Sequence, residues 1–361
     1  MTGAVRLLMT ADVVGGVWQF AVELARALRP HGVDTTLALL GPAPTGAQAA
    51  EADGLTLVET GLPLDWMAED ADAVRASGRA IAALARELDA DLVHLNQPAL
   101  AAAPMPAPVV VGIHSCVATW WRAVEDGPLP AGFAWQTDLA RAGLAAADRI
   151  VCPSHAFARS VKDIYGLPAM PAVVHNGRTP LPTQPHAGDD CVLTAGRLWD
   201  RGKDVATLDR AAAMLGVPFR AAGASDGPNG ARQEFAHLAV LGRLDEPALG
   251  ALLARRPVFA SAARYEPFGL AVLEAAQAGC ALVLADIPPF RELWSDVATF
   301  VAPGDAAGFA LAIDSLIGDA SRRHTRGEAA RARAARFTPQ ATAAAMAQLY
   351  GGLLQQANVA A

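Results

Sequence analysis

Short apolar runs alternate with longer stretches of helical spacing along the first part of the chain. In the longer stretches apolar positions recur every three or four residues, as they do on the buried face of a helix. Strands that alternate with such helices are typical of a parallel sheet covered by helices on both faces. The predicted strands are Val5–Thr10, Asp34–Leu40, Leu92–Leu95, Val109–Ile113, Arg149–Cys152 and Ala172–His175, and the predicted helices are Trp18–Leu28 and Ala71–Asp89.

A break in this pattern divides the chain. Residues 178–190 carry Gly, Pro and Asp without periodicity and are predicted to be a linker. Beyond it the alternation resumes over 191–337, and a last helix is predicted within 338–361. We therefore expect an α/β protein of two doubly wound, Rossmann-like domains that face a central cleft, the first over 1–177 and the second over 191–337. The second domain's predicted strands are Cys191–Ala195, Pro218–Ala222, Pro257–Ala260 and Ala281–Ala285, and its predicted helices include Lys203–Leu215, Leu244–Ala254 and Gly269–Ala278.

Composition narrows the class of protein. The 361 residues carry 29 Lys and Arg against 36 Asp and Glu, a net charge of −7. This charge disfavours nucleic acid as a partner and gives no support for association with an anionic membrane. The four cysteines form no CxxC pair, so neither a metal site nor a disulfide framework is expected. Since no apolar run is long enough to span a bilayer, we expect a cytoplasmic protein.

The sequence EPFGLAVLE places two carboxylates beside a predicted helix start. Pro267 is compatible with the first position of a helix, where its missing N–H is not needed. Glu266 would then lie just outside the helix, Glu274 would lie about two turns inside it, and the free N–H groups of residues 268–270 would form an anion site. A sugar nucleotide needs such donors for phosphate and acceptors for hydroxyls. The alternative is an ordinary glutamate that interacts with the helix dipole.

Two cations follow the first predicted strand of the second domain. Arg197 and Lys203 lie six positions apart in GRLWDRGK, and lysine occurs at just two positions in the chain, Lys162 and Lys203. A pair of cations at a strand end is suited to holding a diphosphate and to stabilising it as a leaving group. The alternative is a solvated turn with a surface lysine.

Two weaker signals lie in the first domain. Gly15 and Gly16 follow the first predicted strand, where glycines let the backbone approach a phosphate or a sugar, although glycine is common in such turns. The loop matches neither the GxGxxG nor the GxxxxGK[ST] nucleotide fingerprint. His114 ends a predicted strand, and for an isolated histidine a structural role is the more common interpretation.

Taken in order, these features resemble the GT-B retaining glycosyltransferases of family 4. The Glu-x7-Glu motif and the Arg–Lys pair are the most specific, and the Gly-Gly loop, Asn176-Gly177 and a closing Arg-Phe-Thr with Tyr350 support them. The resemblance covers nearly the whole chain. It implies an enzyme that uses no metal and no cofactor and transfers a hexose from a nucleoside-diphosphate sugar to a hydroxyl of a glycan, lipid or small molecule. It also implies that the helix within 338–361 packs back on the first domain.

The resemblance implies roles for the matching residues. Arg197 and Lys203 would bind the donor diphosphate and stabilise its departure, and Glu266 would contact hydroxyls of the donor sugar. The other matches are Glu274 at the ribose, the backbone of Phe268, Gly269 and Leu270 at phosphate and sugar, Gly15 and Gly16 in the loop over the diphosphate, Gly223 in a donor-side loop, Leu244 at the base, and His114 at the sugar 6-hydroxyl.

Departures from the family pattern leave the donor open. Lys203 is followed by Asp204 where the family usually has Gly, and Asn-Gly is followed by Arg178-Thr179 in place of Val-Asp. The YEPFG sequence favours glucose or mannose as the transferred sugar. A sugar-nucleotide 2-epimerase and a non-catalytic sugar-nucleotide binding protein remain alternatives, and a pyridoxal-phosphate phosphorylase would need one of the two lysines as its Schiff base.

Overall fold

The computed structural model describes residues 4–182, 190–227 and 230–360. It separates into an N-terminal unit, made of residues up to Arg178 and from Thr338 onward, and a C-terminal unit over Thr179–Phe337. Each unit has its own parallel sheet and its own buried core. The prediction of two doubly wound α/β domains is confirmed.

A parallel sheet of seven strands forms the centre of the described part of the N-terminal unit. The strands are β1 (Val5–Asp12), β2 (Val33–Leu40), β3 (Thr56–Glu59), β4 (Leu92–Leu95), β5 (Val109–Gly112), β6 (Arg149–Cys152) and β7 (Ala172–Val173). They lie in the order β3-β2-β1-β4-β5-β6-β7. The helices between them are α1 (Gly16–Leu28), α2 (Gly46–Glu51), α3 (Ala71–Glu87), α4 (Val117–Val124), α5 (Ala134–Ala146) and α6 (His155–Tyr165).

Burial explains why the central strands read as continuous apolar runs. From Leu7 to Asp12 every residue of β1 is buried, because helices cover both faces of a parallel sheet. On α1, Trp18 is fully buried, and its indole nitrogen donates to Glu51 Oε2 at 2.8 Å. Ser154 caps α6 by accepting from the Phe157 N–H at 3.2 Å. These contacts fix the sheet whose carboxyl edge carries the candidate residues of this unit.

The C-terminal unit repeats the same winding with six strands in its described residues. The strands are β8 (Val192–Ala195), β9 (Phe219–Ala222), β10 (Ala239–Gly242), β11 (Val258–Ser261), β12 (Leu282–Ala285) and β13 (Thr299–Val301), and they lie in the order β10-β9-β8-β11-β12-β13. The helices are α7 (Val205–Ala212), α8 (Glu246–Ala254), α9 (Leu270–Gln277), α10 (Pro288–Trp294), α11 (Ala306–Ile317) and α12 (Ala320–Ala334).

The last helix, α13 (Pro339–Ala360), belongs to the N-terminal unit. Ala343, Met346, Tyr350 and Leu353 are buried in the core of that unit, beside residues of α1. The chain therefore leaves the N-terminal unit after Arg178 and returns to it at Thr338.

Three predicted helices begin later than expected, each for a local reason. The helix predicted from Lys203 is divided at Asp204, whose φ of 45° ends a 3-10 turn over Arg201–Lys203 before α7 begins. The helix predicted from Leu244 begins at Glu246, because Asp245 Oδ1 accepts from the Ala248 N–H at 2.8 Å and caps it there. The third, α9, is described with the site below.

The edge strands β3, β10 and β13 were not predicted. Their residues are mostly exposed or half-buried, so they lack the apolar runs that mark the central strands.

The predicted linker at 178–190 lies partly outside the described residues, since residues 183–189 are not described. Its first residues are packed against the two units. Arg178 is 6 % exposed and donates to Glu23 Oε1 at 2.9 Å in the N-terminal unit. Leu181 is buried in the core of the C-terminal unit, and a Cβ on Gly250 would lie 2.3 Å from the Pro182 carbonyl oxygen.

Candidate functional site

The strand order of the C-terminal unit reverses between β8 and β11. From β8 the chain moves outward to β9 and β10 and then returns to the other side of β8 as β11. In open α/β sheets, ligands bind beyond the carboxyl ends of the strands at such a reversal. Arg197 and Lys203 follow β8, and Glu266 follows β11. The structure thus brings the predicted cations and the first predicted carboxylate to the same switch point.

Hydrogen bonds join the loops that carry these residues. The Gly202 carbonyl oxygen accepts from the backbone N–H groups of Arg264, at 2.9 Å, and Tyr265, at 3.1 Å. Lys203 Nζ donates to Glu266 Oε2 at 2.5 Å, with the two side chains 19 % and 17 % exposed. The ammonium and the carboxylate therefore form a mostly buried ion pair.

Arg197 presents a guanidinium that is only partly paired. Its Nη2 donates to Asp200 Oδ2 at 2.9 Å, and its Nε is buried without a hydrogen-bond partner among the described residues. The guanidinium carbon lies 5.8 Å from the centre of the Trp199 ring. Asp200 also accepts from the Gly202 N–H at 2.8 Å, which fixes the turn between the two cations. A buried N–H without a partner is costly, and an anion oxygen would satisfy it.

Glycines allow the backbone of this edge to pack closely. Gly223 follows β9 with φ of 141°, and a Cβ there would lie 1.8 Å from the Gly196 carbonyl oxygen. The Gly223 N–H donates to the Gly242 carbonyl oxygen at 2.7 Å. The predicted donor-side residue Gly223 therefore lies at the carboxyl edge, one strand away from the cations. Leu244 lies between β10 and α8, half-buried against the core of the unit.

The start of α9 agrees to within one residue with the predicted helix Gly269–Ala278, but Pro267, which was compatible with a first helical position, lies outside the helix. The helix begins at Leu270, because Gly269 adopts φ of 95° and serves as its N-cap. Phe268 is buried, and a Cβ on Gly269 would lie 3.2 Å from Glu266 Cγ. No acidic residue lies in the first turn and no side chain caps the helix, so its N–H groups are open to an anion. Glu274 is then the fifth residue of α9, one turn inside it rather than two.

The N-terminal unit has the same kind of reversal, between β1 and β4. Gly15 follows β1 with φ of 121° and is the N-cap of α1, and Gly16 is the first residue of that helix. The turn is held by Asp12, whose Oδ1 accepts from the Val14 N–H at 2.6 Å. No acidic residue and no side-chain cap occupy the first turn of α1. The backbone here has the form of an anion-binding helix start.

His114 lies at the same edge, two residues beyond β5. Its Nε2 is 2.9 Å from Asn96 Oδ1, and its ring centre is 4.5 Å from that of Phe20. Burial lowers the pKa of His114 to about 4, so the imidazole is neutral at physiological pH. A neutral ring at a sheet edge can exchange hydrogen bonds with a hydroxyl but does not supply a charge.

A second buried histidine lies beside it and was not predicted. His94 is fully buried in β4, and its Nδ1 is 2.7 Å from the hydroxyl of Tyr350 on α13. Burial, with a smaller contribution from His114, lowers the pKa of His94 to about 3. Asn96, which follows β4 and contacts His114, was also missed, although a polar residue directly after a buried strand was a signal that could have revealed it.

Two further features concern the described residues: their possible metal ligands and the lengths of their apolar helices. There, no group of three or more His, Cys, Asp or Glu side chains is placed to hold a metal ion. In the same part of the chain, none of the helices combines the length and the apolar character that crossing a bilayer requires.

Two doubly wound domains, with cations and carboxylates at a reversal of strand order, have the architecture of nucleotide-binding α/β enzymes. Residues 14–180 match the family model Glycosyltransferase Family 4, and residues 231–333 match Glycosyl transferases group 1. The chain belongs to this family of glycosyltransferases and has the GT-B fold, as the resemblance implied.

Similar proteins include curated and solved members of the group. Glycogen synthase of Mycobacterium tuberculosis is 42 % identical over 113 residues, which are 30 % of this chain and 27 % of that protein. The matched segment is thus about a quarter of the curated relative's length. Sucrose-phosphate synthase from Thermosynechococcus elongatus has a TM-score of 0.78 at 18 % identity, over 98 % of this chain and 100 % of that one. Anabaena HepE in complex with UDP-glucose has a TM-score of 0.72 at 19 % identity, over 96 % and 99 %.

Proposed function

We propose that the protein transfers a hexose, glucose or mannose, from a nucleoside-diphosphate sugar to a hydroxyl of a glycan, lipid or small-molecule acceptor. The main support for this proposal is that Arg197, Lys203 and Glu266 all lie at the switch point of the C-terminal unit. Uridine diphosphate is the first donor nucleotide to test, because the similar HepE structures contain UDP or UDP-glucose. The reaction needs neither a metal nor a cofactor, since protein cations can neutralise the diphosphate.

The donor site of the proposal is built from the loops after β8, β9, β10 and β11. Arg197 and Lys203 bind the diphosphate, and the buried Arg197 Nε gains an acceptor. The N–H groups at the start of α9 and the backbone of Phe268, Gly269 and Leu270 bind phosphate and sugar. The remaining donor contacts are Glu266 at hydroxyls of the sugar, Glu274 at the ribose, Gly223 at the donor-side loop and Leu244 at the base.

Binding of a diphosphate changes the partner of Lys203. Its ammonium is held by Glu266 at 2.5 Å, and a phosphate oxygen would compete for the same protons. The carboxylate that is released then accepts hydrogen bonds from sugar hydroxyls. One ion pair thereby supplies a cation to the phosphate and an acceptor to the sugar.

The proposed chemical step retains the configuration at the anomeric carbon. The acceptor oxygen forms a bond to that carbon on the face from which the diphosphate leaves, and the bond to the phosphate oxygen breaks. The proton of the acceptor hydroxyl passes to the departing phosphate oxygen, so the products are the glycoside and the nucleoside diphosphate. Arg197, Lys203 and the N-terminus of α9 stabilise the developing negative charge.

The candidate residues of the N-terminal unit have two roles in the proposal. The backbone at Gly15 and Gly16 contributes N–H groups to an anionic part of a substrate. His114 contacts a hydroxyl of the sugar, for which its neutral imidazole is suited.

A panel of nucleoside diphosphates and their sugars tests the proposal. Thermal shift and slow donor hydrolysis are measured for the wild type, for Glu274→Ala and for Glu69→Ala, which changes an exposed glutamate of the N-terminal unit. We expect one nucleotide to raise the melting temperature of the wild type and of Glu69→Ala but not of Glu274→Ala. Hydrolysis of one sugar nucleotide then identifies the donor.

Three other outcomes would contradict the proposal. No thermal shift with any nucleotide would exclude the donor site. Conversion of a free sugar nucleotide to its epimer without an acceptor would assign the protein to the 2-epimerases. Tight binding without hydrolysis or transfer to any acceptor would assign it to non-catalytic binding proteins.

A further inference from the structure

The amide of Asn96 has a fixed orientation. This side chain is buried, and its Nδ2 lies 2.6 Å from the Thr10 carbonyl oxygen. A backbone carbonyl oxygen can only accept a hydrogen bond, so the NH2 group of the amide must face Thr10. The Asn96 backbone N–H donates to Thr10 Oγ1 at 2.9 Å, which ties the residue to β1 a second time. Oδ1 therefore points away from β1.

The orientation of this amide determines where the proton of His114 lies. Asn96 Oδ1 is 2.9 Å from His114 Nε2. Because an amide oxygen has no proton to donate, Nε2 must carry the hydrogen. A neutral imidazole has one N–H and one bare nitrogen, and burial keeps this ring neutral by lowering its pKa to about 4. Nδ1 is therefore the bare nitrogen, and it can only accept.

The surroundings hold the ring and the amide in this arrangement. Phe20 packs on the His114 ring with the centres 4.5 Å apart. Gly112 provides the space for the amide, since a Cβ on it would lie 2.8 Å from Asn96 Oδ1 and 2.7 Å from His94 Nε2. Within the described residues the hydrogen bond of the His114 ring is made at Nε2, which leaves the lone pair of Nδ1 for a ligand.

We propose that Asn96 is a positioning residue that holds His114 as the Nε2-protonated tautomer, so that Nδ1 accepts a hydrogen bond from one hydroxyl of the bound sugar nucleotide. The identity of the ligand rests on the proposed function, whereas the tautomer does not. A ring in this tautomer favours a group that can donate. It disfavours a ligand that has an ether, a ketone or a carboxylate at the same position, because two acceptors would then face each other.

The tautomer is tested by NMR on protein labelled with 15N at histidine, with the His114 signals assigned from a His114→Gln variant. We expect the two-bond nitrogen–proton correlations of wild-type His114 to show the Nε2-protonated form. In Asn96→Ala the ring should shift toward a mixture of tautomers. Tyr350→Phe is the matched control, since it removes the hydrogen bond to His94 and leaves Asn96 in place, and it should leave the His114 pattern unchanged.

Two NMR results would overturn the proposal: an Nδ1-protonated ring in the wild type, or the same tautomer in Asn96→Ala as in the wild type. Should Asn96→Ala fail to fold, Asn96→Asp provides the test. Its carboxylate still accepts from Nε2 and also stabilises the charged imidazolium, so His114 should become protonated at a higher pH than in the wild type. An unchanged titration in Asn96→Asp would contradict the proposal equally.

The hydroxyl contact is tested by hydrolysis of UDP-glucose and of its monodeoxy analogues. We expect the wild type to disfavour one analogue in kcat/KM by about fivefold, the loss of one neutral hydrogen bond. Asn96→Ala should lose this discrimination, while Tyr350→Phe should keep it. Retention of the discrimination in Asn96→Ala would refute the contact. If the wild type neither hydrolyses any sugar nucleotide nor transfers its sugar to any acceptor, the proposed function fails, and the NMR result still decides the tautomer.

Discussion

Replacing Lys203 by alanine should lower both the stability of the protein and its turnover, for two separate reasons. Lys203 Nζ and Glu266 Oε2 are 2.5 Å apart, and at an effective dielectric constant of about 20 their charges attract by about 7 kcal/mol. Desolvation offsets most of this attraction. Exposed pairs contribute about 0–1 kcal/mol, and breaking a fully buried pair costs about 3–5 kcal/mol. Because both side chains are less than one-fifth exposed, we expect Lys203→Ala to lower the free energy of unfolding by about 2 kcal/mol.

The effect on catalysis has a different origin. If the ammonium stabilises the departing diphosphate, its loss should lower kcat by about 100-fold or more, equivalent to about 2.7 kcal/mol of transition-state stabilisation. The assay is hydrolysis or transfer of the identified donor, well below the melting temperature of every variant. Lys162→Ala, which changes the other lysine of the chain on α6, should keep the wild-type kcat. A Lys203→Ala enzyme with a kcat within about twofold of the wild type would refute the assigned role.

The partner of the ion pair gives a second test of the same reasoning. Glu266→Ala releases the ammonium, so the affinity for UDP alone should stay equal or increase while the turnover of UDP-glucose falls. Each single variant should lose part of the free energy of unfolding. The two losses should sum to more than the loss in the double variant, by about 1–2 kcal/mol, because both substitutions remove the same contact. A large loss of UDP affinity in Glu266→Ala would contradict the exchange of partners.

Three further results are expected. Gly223→Ala should lower the free energy of unfolding by about 2 kcal/mol or more, because φ of 141° and a Cβ 1.8 Å from the Gly196 carbonyl oxygen both require the backbone to shift. Arg197→Lys should lower kcat/KM about tenfold, since lysine keeps the charge but has no counterpart of the buried Nε. The pKa values of His94 and His114 are lowered, so the folded state binds fewer protons than the unfolded state between pH 6.5 and 4. As pH falls through this range, the free energy of unfolding should decrease by about 1.4 kcal/mol per pH unit for each of the two histidines.

Urea unfolding measures the first and third of these results, and steady-state kinetics the second. Gly216→Ala is the control for Gly223→Ala, because a Cβ at Gly216 meets nothing within 4 Å and should be nearly neutral. For the pH series, His94→Leu should make the slope shallower, and the exposed His31→Asn should not. Each prediction has a result that would contradict it. These are a Gly223→Ala protein as stable as the wild type, an Arg197→Lys enzyme with the wild-type kcat/KM, and a free energy of unfolding that does not change with pH.

The part of the site in the C-terminal unit could be predicted because it depends on local patterns. Arg197 and Glu266 each follow a short apolar run, and parallel strands bring their carboxyl ends to one edge. The alternation of strands and helices was therefore sufficient to place these residues together. The same pattern did not exclude Pro267 from α9, since proline is common at a first helical position. The left-handed conformation of Gly269 places the start of the helix at Leu270.

The polar contacts of the N-terminal unit could not be predicted in this way. His94 and Tyr350 are 256 positions apart, and no periodicity connects residues at that separation. Asn96 acts through an amide orientation that depends on a carbonyl oxygen of a neighbouring strand. Both contacts follow from strand order and from the position of α13, which become known only with the structure.

The return of the chain at Thr338 makes the C-terminal unit an insertion within the N-terminal one. The two ends of the insertion are neighbours, since a Cβ on Gly177 would lie 2.1 Å from the Thr338 carbonyl carbon. During synthesis, residues up to Arg178 emerge without Met346 and Tyr350, which complete their core. The inserted unit is continuous in sequence, so it can complete its core before the N-terminal unit does, which is the reverse of the order usual for a two-domain chain.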